Sequence, residues 1–394
     1  MTRIYFDHNA TTPVAPEVAE TIATTTQTVF GNPSSVHGYG QQAKTVLDEA
    51  RASVAKLLGA EPTGIVFTSG GSESDNLAIR GAADAAIANG RRHLVTSSIE
   101  HEAVLRTVKA LSTQGWTTTL VGVDASGVVS PERLTNALRD DTALVSVMHA
   151  NNEIGTIQPI ATLAALAHER GALFHTDAVQ SAGKIPIDVR ALDVDLLSIS
   201  AHKFNGPKGI GALWTRRGAQ IRAQLTGGKQ ERSRRAGTEN VPAIAGLGVA
   251  ARLADKNRTV ALEDLGTLRD RLEDGVLANV SGTQRNGEVL HRINNTCNIS
   301  FDGVEAESLL IALDLEGIAV STGSACSSGS LEPSHVLQAM GFSSHRTQNS
   351  IRFSLGLGNT KEEVDHVLTL LPTVVSRLRA VTRRAPKTTS TLRR

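Results

Sequence analysis

Lys203 is the first residue whose position suggests chemistry. It follows the apolar run 196–199, which is typical of a buried strand, and a glycine- and proline-rich turn comes after it. Burying an ammonium group is costly unless it is paired or neutralised. A Schiff base to a carbonyl cofactor removes the free amine, and we therefore predict that Lys203 carries pyridoxal phosphate. The alternative is a lysine that reaches the surface. Lys208 competes for the role, but it lies inside the turn, where it would be solvated.

A second candidate is the turn Ser69-Gly-Gly-Ser72, which follows a predicted strand and opens a predicted helix. Its two glycines, Gly70 and Gly71, let backbone N–H groups approach an anion, and the helix N-terminus adds partial positive charge. This indicates a phosphate site. The alternative is that Ser72 caps the helix, with Asp75 three residues further on.

Four polar residues stand directly after other predicted strands. Asp177 could keep a pyridine nitrogen protonated, which would make the ring an electron sink, although it could equally cap the next helix. His101 could stack on a flat ring or move protons, although a lone histidine is more often structural. Gln180 and Asn152 offer neutral hydrogen bonds suited to a phenolic oxygen or a carboxylate.

Two cysteines and one arginine complete the candidates. Cys326 lies in a stretch rich in glycine and serine, which makes an accessible thiol able to act as a nucleophile. Cys297 lies in a strand-like run and is predicted to be buried and inert. Arg352 also lies in a strand-like run, where it could grip a carboxylate through two hydrogen bonds or form a structural ion pair.

The elements that must position these residues alternate between strand and helix from residue 65 to about residue 213. This pattern predicts a mainly parallel sheet covered by helices on both faces. In such sheets ligands bind beyond the carboxyl ends of the strands, where the polar residues above all stand. From about residue 257 a charged helix over 261–277 and shorter strands predict a smaller α+β domain. We expect a large domain over 14–256, a small domain over 1–13 and 257–381, and a basic tail over 382–394.

Composition narrows the class of protein. The 394 residues carry a net charge of +1, only 3% are aromatic, and two are cysteines. Neither a nucleic-acid partner nor a membrane surface is expected from this charge balance. Two cysteines do not make a disulfide framework, and no signal peptide or long apolar run is present, so a cytoplasmic location is expected.

From residue 7 to about residue 371 the chain resembles the cysteine desulfurases of the NifS/IscS branch, among the fold type I pyridoxal-phosphate enzymes (class V aminotransferases). The motifs that carry the resemblance are DHNATTP, GNPSSVHG, FTSGGSESDN, IEHEAV, HANNEIGTIQP, HTDAVQS, SAHKFNGPKGIGAL, RRAGTENV, STGSACSSGSLEPSHVL and IRFSLG. Two of these, RRAGTENV and SSGSLEPSH, are closer to NifS. The fold implied is a seven-stranded, mainly parallel sheet between helices, with a smaller α+β domain.

The resemblance also implies roles for matched residues. Lys203 corresponds to the Schiff-base lysine, and Cys326 to the nucleophile that takes up sulfur as a persulfide. His101 would stack on the ring, Asp177 would pair with its nitrogen and Gln180 with its phenolic oxygen. The implied phosphate shell is Gly71, Ser72, Ser200 and His202, with Thr238 from the neighbouring subunit of a homodimer. Asn152 and Arg352 would bind the substrate carboxylate. Asn152 is also implied to be a cofactor-binding residue.

The implied reaction converts L-cysteine to L-alanine and passes sulfur to an acceptor protein for iron–sulfur cluster assembly or thiolation. A transient [2Fe-2S] cluster, shared with a scaffold partner through Cys326, is a further expectation. A desulfurase acting in DNA phosphorothioation would share these motifs. Other class V activities, such as selenocysteine lyase or aminotransferase, and an inactive sulfur-relay subunit are the alternatives.

Overall fold

The computed structural model describes residues 3–323 and 333–384, without the side chains of 257–262 and 382–384. The strands are β1 (Ile4–Tyr5), β2 (Ile65–Thr68), β3 (His93–Ser97), β4 (Thr117–Val121), β5 (Thr142–Ser146), β6 (Leu173–Asp177), β7 (Leu196–Ser200), β8 (Gly211–Thr215), β9 (Thr283–Asn286), β10 (Thr296–Phe301), β11 (Ile318–Ala319) and β12 (Ser350–Ser354). The helices are α1 (Pro16–Thr28), α2 (Gly38–Leu57), α3 (Gly71–Ala86), α4 (Glu102–Ser112), α5 (Pro131–Ala137), α6 (Ile160–Glu169), α7 (Gln230–Ser233), α8 (Val241–Asn279), α9 (Ala306–Leu315), α10 (His335–Ala339), α11 (Ser344–Gln348) and α12 (Lys361–Arg384).

A seven-stranded sheet in the order β2-β8-β7-β6-β5-β3-β4 forms the centre of the fold. Its strands are parallel except β8, which is antiparallel to both of its neighbours. Five of them, β2, β3, β5, β7 and β8, are buried along their whole length, as expected for strands covered on both faces. The predicted fold class, an α/β fold with a mainly parallel seven-stranded sheet, is confirmed. The carboxyl ends of the parallel strands therefore meet along one edge.

The sequence pattern did not predict two elements of the large sheet and its covering helices, β4 and α5. β4 reads Thr-Thr-Thr-Leu-Val and is half-exposed at the sheet edge, so it lacks the apolar run that marks the buried strands. α5 has only seven residues, too few for a helical period to stand out. Both lie on the far side of the sheet from Lys203.

A second apolar core lies outside the large sheet. It joins β1, the later part of α8, β10, α9, β12 and α12, with Phe6, Ile299, Phe301, Ile351 and Phe353 at its centre. Here β12-β10-β9 form an antiparallel sheet, and β1 pairs with β11. The helix predicted over 261–277 is the last part of the 39-residue α8, which begins at Val241 with a proline in its first turn. α8 therefore runs without a break through residue 257, where the change of character was expected.

The N-terminal segment, residues 7–12, runs between the two cores. Phe6 and His8 form backbone hydrogen bonds with Ser354 of β12. Thr12 donates its backbone N–H to the carbonyl of His202, just beyond β7. This segment therefore lies against both the edge of the large sheet and the smaller antiparallel sheet. Within the described ranges, no helix is long and apolar enough to cross a membrane.

Candidate functional site

Lys203 ends a short 3₁₀ turn, Ala201–Lys203, that directly follows β7. Its side chain is half-buried, and its Nζ donates hydrogen bonds to the backbone carbonyls of Asn9 at 2.7 Å and Ala10 at 2.9 Å. The competing lysine, Lys208, is exposed. The amine of Lys203 is thus held at the sheet edge by neutral acceptors, as a nucleophilic amine requires.

The predicted phosphate turn lies beside Ser200 at the end of β7. Gly70 has φ of +151°, a conformation that favours glycine, and it precedes the first residue of α3. A Cβ on Gly71 would lie 2.8 Å from Cγ2 of Val179 and 3.6 Å from Cβ of Ser200. The backbone N–H groups at the start of α3 therefore open beside the Ser200 side chain. The alternative that Ser72 caps α3 does not apply, because Gly70 holds the N-cap position without a side-chain bond and Ser72 lies inside the helix.

His202 and Ser200 stand at the same strand end. The imidazole of His202 contacts Oγ1 of Thr11 through Nδ1 at 3.1 Å. Burial, together with the positive charge of Lys203, lowers the pKa of His202 to about 4. The ring is therefore neutral near pH 7.

Asp177 and His101 come from β6 and from the start of α4. Asp177 is 5% exposed, and its Oδ1 accepts the N–H of Val179 at 2.8 Å. Burial raises the pKa of this carboxyl, whereas His101 and Lys203 oppose the rise, so both residues lie within electrostatic reach of Asp177. His101 caps α4, and its Nδ1 accepts the N–H of Ala103, which places the ring proton on Nε2. Asp177 begins a turn, so the alternative of a helix cap does not apply to it.

Arg352 lies on β12 and is 3% exposed. Its Nη2 donates to Oδ1 of Asp7 at 2.7 Å and its Nη1 to the carbonyl of Asn152 at 3.1 Å, while Nε is buried without a partner. An unpaired guanidinium donor in a buried position suits a carboxylate ligand. The predicted pair Asn152 and Arg352 is thus brought together, although through the Asn152 backbone.

Gln180 lies one turn beyond Asp177 and is 5% exposed. Its Nε2 donates to the carbonyl of Asn9 at 2.9 Å, and its Oε1 accepts from Nζ of Lys184 at 2.9 Å. The same Asn9 carbonyl accepts from Lys203. Gln180 and Lys203 therefore share the Asn9 carbonyl as a hydrogen-bond acceptor.

Two buried carboxyls, Asp75 and Glu100, lie within electrostatic reach of Asp177, and Glu153 is a third buried carboxyl; sequence reasoning missed both glutamates. Glu100 accepts hydrogen bonds from Oγ of Ser97 at 2.5 Å and from the N–H of Met148, but its Oε2 has no partner. Burial raises its pKa to about 8. Burial and the charge of Asp177 raise the pKa of Asp75 well above its usual range. Glu153, in the turn beside Asn152, accepts from Oγ of Ser334 at 2.5 Å. The sequence signal that could have revealed the two glutamates is their position in the turns that follow β3 and β5, at the same sheet edge as the other site residues.

Two predicted residues fall outside this cluster. Thr238 is exposed on the stretch between α7 and α8. Cys326 lies outside the described residues, and so does the predicted cluster site. Cys297 is on β10 and fully buried, and burial raises the pKa of its thiol far above the usual range. In the described part of the chain, no group of three or more His, Cys, Asp or Glu side chains could hold a metal ion.

The arrangement fits pyridoxal phosphate. The glycine turn leaves no room for a Cβ next to Val179, as close approach of an anion to the helix start requires. The buried carboxyl of Asp177 would gain an ion pair from a protonated ring nitrogen. Lys203, whose Nζ donates to two backbone carbonyls, offers the amine that the aldehyde needs.

Comparisons with known proteins agree with this geometry. The model of the family described as Aminotransferase class-V matches residues 4–367. A relative named Cysteine desulfurase IscS, from Methanosarcina thermophila, is 51% identical over 99% of this chain and 96% of its own. A solved structure titled NifS-like protein is 40% identical, covers 96% of this chain and all of its own, and has a TM-score of 0.90. Another, SspA in complex with cysteine, is 38% identical, covers 90% and 99%, and has a TM-score of 0.79.

Proposed function

The chain belongs to the aminotransferase class-V family, and we infer from this that it is a pyridoxal-phosphate-dependent cysteine desulfurase with Lys203 as its cofactor-linked lysine. The observation that carries the proposal is the position of Lys203, whose Nζ is held at the sheet edge by two carbonyls and within electrostatic reach of the buried Asp177. The substrate proposed is L-cysteine.

The residues around Lys203 divide the work of binding. The helix start at Gly71 and Ser72, with Ser200 and His202, would hold the phosphate, while Asp177 would face the ring nitrogen. His101 would stack on the ring, and Gln180 would donate to the phenolic oxygen. Bound there, pyridoxal phosphate supplies an electron sink for the substrate Cα.

Arg352 and Lys203 act on the substrate itself. The free Nε of Arg352 would take the substrate carboxylate, with Asn152 beside it. This grip fixes Cα against Lys203, whose amine removes the Cα proton and later returns one. Asp177 stays ionised while the ring nitrogen carries its proton, because the two charges stabilise each other.

Cys326 is proposed as the group that receives the sulfur. Its thiolate attacks the sulfur of cysteine, so that an S–S bond forms while the substrate C–S bond breaks. The electron pair stays on the substrate carbon, which takes a proton and leaves as L-alanine. The persulfide then passes to an acceptor, such as an iron–sulfur scaffold or a thiolation protein. Cys297 cannot serve instead, because its thiol is buried and stays protonated.

A homodimer is proposed from an exposed apolar patch, defined as Phe30, Val36 and Tyr39. These side chains are 73%, 93% and 59% exposed, and the rings of Phe30 and Tyr39 lie 4.9 Å apart. Burial of such a patch in a subunit interface is favourable. Thr238, also exposed, would then reach the partner's phosphate. A transient [2Fe-2S] cluster at Cys326 and a cytoplasmic location, which fits the two cysteines, complete the proposal.

The proposal is tested on the purified protein loaded with pyridoxal phosphate. We expect a visible absorbance band that changes when L-cysteine is added, and borohydride reduction should leave the cofactor on Lys203. Cys326→Ala should keep the band but lose persulfide and alanine formation. Labelling at Lys208 instead, or full desulfuration by Cys326→Ala, would contradict the assignment. Sedimentation of the wild type and of Tyr39→Asp tests the dimer, since the charged variant should shift towards monomer.

A further inference from the structure

A second lysine, Lys184, is buried beside Lys203 and has no place in the chemistry above. It is 7% exposed and lies four residues beyond Gln180. Its Nζ donates to Oδ1 of Asn9 at 2.8 Å and to Oε1 of Gln180 at 2.9 Å. Both acceptors are neutral amide oxygens, so the amine is held by hydrogen bonds to side chains that themselves contact the site.

The surroundings of Lys184 make its burial costly. Burial lowers the pKa of its amine well below the usual range, and the positive charges of Lys203 and Arg352 lower it further. The histidines that face it, His8 and His202, are also disfavoured as cations, and its charge contributes to this. A methionine of similar length would fill the space without that cost. What the lysine adds is the pair of hydrogen bonds.

Asn9 joins these contacts into one network. It is 1% exposed, and its Nδ2 donates to Oγ1 of Thr296 at 2.7 Å and to the carbonyl of Asn152 at 3.1 Å. Its Oδ1 accepts from Asn295 at 3.0 Å as well as from Lys184. Its backbone carbonyl accepts from Lys203 and Gln180 together. Asn9 thereby connects the lysine at the sheet edge to β10 and to the turn that holds Arg352.

The orientation of both amides follows from partners that can only accept. The carbonyl of Asn152 requires a donor, so the group of Asn9 that faces it is Nδ2 and the group that faces Lys184 is Oδ1. The carbonyl of Asn9 likewise requires Nε2 of Gln180, which leaves Oε1 for Lys184. Asn9 Oδ1 also accepts from Asn295, whereas Gln180 Oε1 has Lys184 as its donor among the described residues, so the Gln180 amide depends most on a donor at position 184.

We propose that Lys184 is a positioning residue, which locks the amides of Asn9 and Gln180 so that Gln180 Nε2 keeps donating to the Asn9 carbonyl, the acceptor that it shares with Lys203. This inference rests on the proposed function of Lys203. Loss of the Lys184 donor would leave Gln180 Oε1 unpaired in a buried position and would free its amide to rotate. The amine of Lys203 would then lose its fixed alignment with the cofactor and with the substrate Cα.

The test compares Lys184→Met with Lys208→Met, which removes the exposed lysine five residues beyond Lys203. Both are loaded with pyridoxal phosphate, and the visible band is titrated against pH before kinetics are measured. We expect Lys184→Met to keep the visible band but to shift the pKa at which the band titrates by about one unit. Its kcat should fall about tenfold, with a smaller change in KM. Lys184→Gln, which restores one donor, should recover part of the loss. Lys208→Met should match the wild type.

A Lys184→Met protein with the wild-type band pKa and kcat would overturn the inference, as would the same shift in Lys208→Met. If Lys184→Met does not fold, Asn9→Ala is titrated in its place, and an unchanged band pKa again overturns it. In the double variant, which combines Lys184→Met with Asn9→Ala, the shift of the band pKa should be smaller than the sum of the two single shifts, because both changes break one network. A wild type without any band would instead refute the proposed function, so the two failures are distinguishable.

Discussion

The sheet edge and the N-terminal segment hold their shares of the candidate site in different ways. At the sheet edge, Asp177, Ser200 and Lys203 are fixed by the strand that each of them ends or follows. In the N-terminal segment, Asp7 and Asn9 are fixed by partners hundreds of residues away, such as Arg352 and Ser354. The positions of the sheet-edge residues are set locally, so small changes elsewhere should leave them in place. The positions of Asp7 and Asn9 depend on contacts with both apolar cores, so a shift of either core should displace them.

The largest effect is expected where the two regions meet. Lys203→Ala removes the amine that donates to the Asn9 carbonyl and is proposed to bind the cofactor, and we expect desulfuration to fall by about 10³-fold or more. The visible band should be lost or become removable by dialysis, whereas thermal unfolding should change little because the side chain is half-buried. A variant that keeps a tenth of the activity would mean that another amine carries the reaction.

Arg352→Gln tests the long-range region alone. The substitution removes the unpaired Nε and leaves Asp7 without its cation, so KM for L-cysteine should rise about 100-fold, or roughly 3 kcal/mol. Binding of pyridoxal phosphate should change much less. A matched control is Arg51→Gln, which breaks the buried pair with Glu231 away from Lys203 and should lower Tm without raising KM. Equal KM values in both variants would remove Arg352 from the substrate grip.

Gly71→Ala tests the local region. The new Cβ would lie 2.8 Å from Cγ2 of Val179, so the start of α3 must shift and the phosphate should bind about tenfold more weakly. Equilibrium dialysis with pyridoxal phosphate measures this change. Gly266→Ala is the control, because its Cβ would meet only Asn294 at 3.8 Å within α8 and the change should raise stability slightly. Unchanged cofactor affinity in Gly71→Ala would argue against a phosphate at this turn.

The smallest effect on activity is expected for Glu100→Gln, which changes pH dependence. Below about pH 4.5 the Glu100 carboxyl is protonated in both the folded and the unfolded chain. Between pH 4.5 and about 8 only the unfolded chain ionises it, so wild-type stability falls as pH rises through this window. Glu100→Gln should lack this loss, with a difference on the order of 1 kcal/mol per pH unit in urea unfolding. Parallel stability curves would show that Glu100 is ionised when folded.

The same contrast explains what the sequence could predict. The sheet and the site residues at its edge could be predicted from the sequence, because a buried strand followed by a polar residue is a local pattern. The roles of Asn9 and Lys184 were not, since each depends on a tertiary hydrogen bond that leaves no mark on the sequence nearby. The alternative of a Ser72 cap stayed open from the sequence for a related reason, since a serine after Gly-Gly resembles a cap unless the turn geometry is known.

The hydrogen bond from the Asn9 N–H to Ser354 Oγ spans 345 positions of the chain. During synthesis the segment that holds the Lys203 amine is made long before its anchors on β10 and β12. The large sheet can assemble while translation continues, but this segment must wait until β12 is available. Capture of the cofactor is therefore expected to follow synthesis of β12, and a chain truncated before β12 should fold its sheet and remain colourless.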